Sequence, residues 1–331
     1  MSEPALAVHA DWSVHPQKRW MAQAVRQPGG GYLALPPAPV GALDGFWAEL
    51  AAGAAPGAIL VGFDFPIGLP AAYARQAGID DFLEALERFD AGFYSVAKTP
   101  EEISLARPFY PDRPGGRRRQ QLLDGLRLES WNSLHRRCDR ATASRPAACP
   151  MFWAIGGNQV GKAAIVGWRD LLVPARRNGV DLAIWPFDGA LADLIHAHRF
   201  VVAETYPGEV YGHLGLSLRG RGGKRSQAAR MANAARLLDW ASASYLALAP
   251  ALAAEIIAGF GSQPGADDPF DAVIGLFGLI NVVGGARPSS EPDNLAVRRL
   301  EGWILGQDAM LAAGQAGGDS AAEWLLDSSP E

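Results

Sequence analysis

Cysteine is scarce in this chain: Cys138 and Cys149 are the only two, and they lack CxxC spacing. Two such residues exclude a disulfide scaffold and point to a reducing cytoplasm. Long apolar runs are missing too. The most apolar late segment, residues 272–283, falls short of the roughly 20 residues that span a bilayer. The opening residues, MSEPALAVHADWS, have no basic stretch before an apolar core, so neither a secretory signal nor a membrane partner is expected. Excess positive charge is absent. The formal net charge of −5 excludes polyanion binding driven by overall charge. GxSxG does not occur, and the 6 histidines form no zinc-ligand pattern.

What is present is a globular composition, 49% hydrophobic and 20% charged, in a chain of 331 residues that can bury a substantial core. Residues 58–70, AILVGFDFPIGLP, organise the reading. An apolar strand delivers a carboxylate, Asp64, at its C-terminal end. Pro66, Gly68 and Pro70 then turn the chain off the sheet. Open α/β sheets place their chemistry at such ends. A turn-capping role is the simpler alternative for Asp64.

Other elements carry acids in the same way. Residues 5–12 (ALAVHADW) predict a first strand ending near Asp11. Residues 18–25 and 32–35 predict two more, joined by the turn QPGGG, as an antiparallel meander. A helix over 43–52 precedes the 58–64 strand. Residues 199–204 (RFVVAE) predict another buried strand, ending on Glu204. Residues 266–283 begin with acids and Pro269 and then turn apolar, the signature of a helix start. Its Asp268 and Asp271 are three apart and share one face. Helices are also expected over 117–140, 159–172, 224–241 and 246–259, and a short final strand over 301–306. If the strands are neighbours, the acids meet, repel and shift one another's pKa values. A hard divalent cation, Mg²⁺ or Mn²⁺, is the usual remedy. Two such ions about 4 Å apart clamp the attacking and leaving oxygens of a phosphodiester displacement. Singly, each acid also reads as a turn residue or a helix N-terminal acid.

The segments ADWS (10–13), VGFDFPIGLP (61–70), VVAETYPGEVYGHLG (201–215), DDPFDAVIGL (267–276) and EGWILG (301–306) together resemble the domain-of-unknown-function family four-two-nine, predicted ribonuclease H-like nucleases. The resemblance covers about 1–70 and 200–306. It implies an α/β fold: a ribonuclease H-like mixed five-stranded sheet flanked by helices, with a large, mostly helical insertion. It also implies Asp11 and Asp64 as the first- and fourth-strand acids, Asp268 and Asp271 as the helix pair, and Glu204 as an additional catalytic acid. The core would be discontinuous, 1–70 and 196–310, with an insertion over 71–195 and a flexible tail over 311–331.

Residues 156–163, GGNQVGKA, nearly match a phosphate-binding loop, but Ala163 replaces the hydroxyl that would hold Mg²⁺. Lys162 remains a candidate phosphate contact. Arg117, Arg118 and Arg119 lie in the insertion, and Lys224 and Arg225 precede a helix. All five are candidate contacts to a nucleic-acid backbone. The expected function is metal-dependent phosphodiester hydrolysis, with water attacking phosphorus directly. Two other readings fit the same residues. One is a phosphotransferase or ATPase of actin-like ancestry, which needs two such halves where one is found. The other is a binding or regulatory module whose acids are vestigial.

Overall fold

Alternation builds the sheet. In β1 (Leu6–Asp11), Leu6, Val8 and Ala10 point to one side and Ala7, His9 and Asp11 to the other. β2 (Trp20–Arg26) runs antiparallel beside it, and β3 (Tyr32–Ala34) and β4 (Ala38–Pro39) both pair with β2. After the helix Phe46–Gly53, β5 (Ile59–Phe63) returns parallel to β1. β6 (Leu182–Ile184) and β7 (Phe200–Glu204) continue the parallel side. β8 (Leu246–Leu248) lies parallel to β3 at the far edge. The order is β6-β7-β5-β1-β2-β3-β8, with β4 on β2. The computed structural model describes residues 3–142, 145–155, 160–218, 222–244 and 246–308. The expected tail over 311–331 and residues 156–159 of GGNQVGKA lie outside them.

The fold is α/β, a mixed sheet of eight strands flanked by helices among the described residues. The five strands expected from the sequence are therefore joined by β4, β6 and β8. These are two or three residues long, too short to display a two-residue period. β8 falls where a helix over 246–259 was expected; Pro250 at the first helical position starts that helix later, as Pro250–Ile257. The expected final strand makes one isolated bridge, Glu204 with Ile304. The helix expected over 117–140 is confined to Arg119–Leu126, because Arg127 takes a left-handed conformation at φ 56° and ends it. The long helix runs over Asp267–Val283, with Asp267 and Asp268 in its first turn.

The two faces of the sheet are covered differently. Leu6, Val8, Ile59, Val61, Phe63 and Val202 pack with Phe109, Leu122, Phe152 and Trp168 in one core. The segment 71–195 thus supplies a layer on that face, and its β6 is a strand of the sheet. On the other face, Ala7, Leu60, Val201 and Ala203 pack against Phe270, Val273, Phe277 and Ile280 of the long helix. Close approach there depends on Gly275, where a Cβ would lie 2.2 Å from the His9 ring. Among the described residues, no helix is long and apolar enough to cross a membrane.

Candidate functional site

The parallel pair β1–β5 sets the site. Its register puts Ala10 opposite Phe63, so the next residues, Asp11 and Asp64, emerge level at the C-terminal ends of the two central strands. The Trp12 amide donates to Asp64 Oδ1 at 2.7 Å and holds that carboxylate toward β1. The long helix packs across β1 and presents Asp271, Gly275 and Gly278 as one stripe. Gly275 meets His9, and Gly278 meets Val210 of the helix Pro207–His213. One turn before Gly275, Asp271 therefore arrives at the end of β1, beside Asp11.

Electrostatics bind these acids into one group. Burial, reinforced by the charges of Asp64 and Asp271, holds the Asp11 carboxyl well above the usual carboxylate range. Burial raises Asp64 to about 7, against the Trp12 hydrogen bond that favours its ionised form. Asp268, half-buried at the rim, is raised to about 6 by burial and by Asp267. Burial also raises Asp271, opposed by Lys224 and Tyr211. Lys224 Nζ donates to Asp271 Oδ2 and the Tyr211 hydroxyl donates to Oδ1. Beneath Asp11, His9 is buried with its Nδ1 at 3.1 Å from the Ala272 carbonyl, and burial lowers its pKa to about 3. It is neutral at physiological pH.

No family model, curated protein or solved structure matches this chain. The site is accordingly read from its own geometry.

Glu204 is not brought to these acids. Phe63, not Asp64, faces Glu204 in the β5–β7 register, and Glu204 is in phase with Phe200 and Val202 on the opposite face of the sheet. There the fully buried guanidinium of Arg136 grips it with two bonds of 2.6 Å. Arg136 also holds Asp139 at 2.9 Å and the carbonyls of Ile67 and Glu301. Glu204 completes the clamp by accepting from the Ile67 amide at 2.7 Å. Burial raises its pKa and Arg136 opposes the rise. The residue that sits beside Asp64 is Thr205, whose amide donates to the Phe63 carbonyl and whose buried hydroxyl has no partner among the described residues.

The candidate basic residues also divide. Lys224 is in the acid group. Arg225, next to it, is exposed. Arg117, Arg118 and Arg119 stand at the start of the helix Arg119–Leu126, where Arg119 lies over the Trp131 ring at 4.5 Å. Lys162 donates to the Asp112 carbonyl at 2.7 Å and faces its carboxylate at 3.6 Å. Among the described residues, these last four form no hydrogen bond or ion pair with Asp11, Asp64, Asp268 or Asp271. Sequence reasoning missed Tyr211 and Thr205. The signal for Thr205 was parity: it follows Val201 and Ala203 by steps of two, as Asp64 follows Leu60 and Gly62.

As the side chains stand, no group of three or more His, Cys, Asp or Glu residues is arranged to hold a metal ion among the described residues. The donor chemistry nevertheless suits a hard cation: carboxylate oxygens, surplus negative charge, and no thiolate in the group. Both oxygens of Asp271 are engaged, Oδ1 by Tyr211 and Oδ2 by Lys224.

Proposed function

We propose that this chain is a metal-dependent phosphodiester hydrolase with a ribonuclease H-like core. The observation that carries the proposal is the meeting of Asp11, Asp64 and Asp271 at the C-terminal ends of the central parallel strands. The connectivity supports it: β1, β2 and β3 form the meander, and β5 and β7 lie parallel on the other side of β1. This is the arrangement that the resemblance to family four-two-nine implies. Asp11, Asp64 and Asp271 would hold Mg²⁺ or Mn²⁺, with Asp268 at the rim. The ion would polarise a phosphoryl oxygen as a Lewis acid. The Trp12 amide orients Asp64, neutral His9 walls off the base of the site, and Lys224 brings positive charge to the acids. Phosphodiester substrates call for that pairing of acids with basic groups; the proposed substrate is a nucleic acid.

The test is an assay of purified protein with Mn²⁺ on single-stranded DNA, duplex DNA, RNA and branched DNA. Cleavage of at least one substrate that disappears in Asp64→Asn supports the proposal. Cleavage surviving in that variant, or absent throughout, sinks it. One observation favours a second reading, a binding module with internally neutralised acids: Asp271 is already saturated by Lys224 and Tyr211. That reading predicts no heat of Mn²⁺ binding and no cleavage.

A further inference from the structure

Lys224 stands in an unusual relation to the acids it serves. Its ammonium donates to Oδ2 of Asp271, the carboxylate that the long helix brings to the end of β1. Among the described residues it is the one lysine or arginine that forms an ion pair with Asp11, Asp64, Asp268 or Asp271. It therefore does for this group what a bound cation does for a carboxylate site.

The pair is lopsided. The Asp271 side chain is 3% exposed and that of Lys224 is 41% exposed, so the ammonium reaches in from the surface. The backbone at Lys224 is pinned. Buried Arg230 donates Nη1 to the Lys224 carbonyl, Nε to the Gly259 carbonyl at 2.8 Å and Nη2 to the Gly261 carbonyl at 2.6 Å. The side chain can leave by rotation about its own bonds while the main chain stays in place. A second feature beside the acids is a polar atom left open to a ligand. Thr205 lies beside Asp64 on the acid-bearing face of the sheet, 4% exposed, and its hydroxyl has no partner among the described residues. Buried hydroxyls are ordinarily hydrogen-bonded.

We propose that Lys224 is a tethered counter-ion that a divalent cation displaces, so that the Lys224–Asp271 pair and a cation at Asp11, Asp64 and Asp271 exclude one another. The inference rests on the metal-dependent reading above. It also explains why the acids are gathered but not arranged for a metal: the ammonium holds the position that the ion would take. Two positive charges at Asp271 Oδ2 repel one another at close range, and the divalent ion draws on several oxygen ligands at once.

Two measurements on the full chain decide it. Calorimetric titration with Mn²⁺ compares the wild type with Lys224→Met. Removing the competitor tightens binding by about tenfold or more. Amine-reactive labelling of the wild type, read by peptide mass spectrometry, follows Lys224 itself. Saturating Mn²⁺ raises its labelling rate several-fold while other lysines are unchanged. Either an unchanged affinity in Lys224→Met or an unchanged labelling rate at saturation overturns the proposal. If Asp64→Asn still abolishes Mn²⁺ binding in that case, the metal reading stands without it. If neither wild type nor Lys224→Met binds Mn²⁺, the metal reading falls and the counter-ion proposal falls with it. Should Lys224→Met fail to fold, the labelling of the wild type decides alone.

Discussion

Asp64 and Glu204 end neighbouring strands one residue apart in register, and that single step gives them opposite fates. Asp64 joins a group with surplus negative charge, and its folded pKa of about 7 exceeds its unfolded value of 3.8. Between those values the folded state binds more protons, so its contribution to stability is full below pH 4 and is lost as pH rises through 7. Asp64→Asn should therefore gain stability relative to the metal-free wild type as pH rises across that window. Urea titrations of both proteins at pH 4.5 and 7.5 measure the difference, and the opposite slope contributed by His9, common to both, cancels. A gap that narrows with pH would falsify the assigned shift. Glu204 is instead one half of a buried ion pair. Arg136→Met leaves Glu204 and Asp139 as buried unpaired charges and should cost about 3–5 kcal/mol by chemical denaturation. The placement of Asp11, Asp64, Asp268 and Asp271 at the ends of elements was legible from the sequence because each follows or opens an apolar element. Glu204 was misjudged because the rule used was position at a strand end, without the phase of the strand's alternation.

The long helix Asp267–Val283 was legible almost to the residue, since acids and Pro269 open it and an apolar run fills it. Its placement depends on a finer pattern, the stripe Asp271, Gly275 and Gly278, on which β1 and the helix Pro207–His213 close in. Gly275→Ala would drive a methyl group into the His9 ring. Overpacking of this kind destabilises by about 1–3 kcal/mol, and a shift of the helix would carry Asp271 away from Asp11. Thermal unfolding and Mn²⁺ calorimetry on that variant should both register the change. An unaltered melting temperature would show that the helix stands further from β1 than described. Elements of two or three residues could not be read from sequence. β6 (Leu182–Ile184) and β8 (Leu246–Leu248) consist of Leu, Ala and Ile, residues that serve helices as readily as strands. Only pairing with β7 and β3 makes them strands.

At the scale of the whole molecule, two layers share one sheet, and the candidate site lies where the long-helix layer meets the ends of β1 and β5. The layer on the opposite face belongs to the segment between β5 and β7, read from sequence as an appended insertion. Its apolar side chains alternate with loops and single turns, so no long period revealed that they were aimed at Val8, Val61 and Phe63. The layer is fastened at depth by Arg136, which touches Ile67, Asp139, Glu204 and Glu301, residues remote from one another along the chain. One guanidinium thus acts as a cross-link without a covalent bond. Consider a chain nicked at exposed Arg117 or Arg118 by brief trypsin treatment. Its two fragments would remain a single particle, eluting together in size exclusion and separating only in denaturant. The same nick in Arg136→Met should let them drift apart at lower urea. Arg136 would reach across such a nick through the Ile67 carbonyl, adding one buried bond to a join made by the β5–β7 pairing and the shared core.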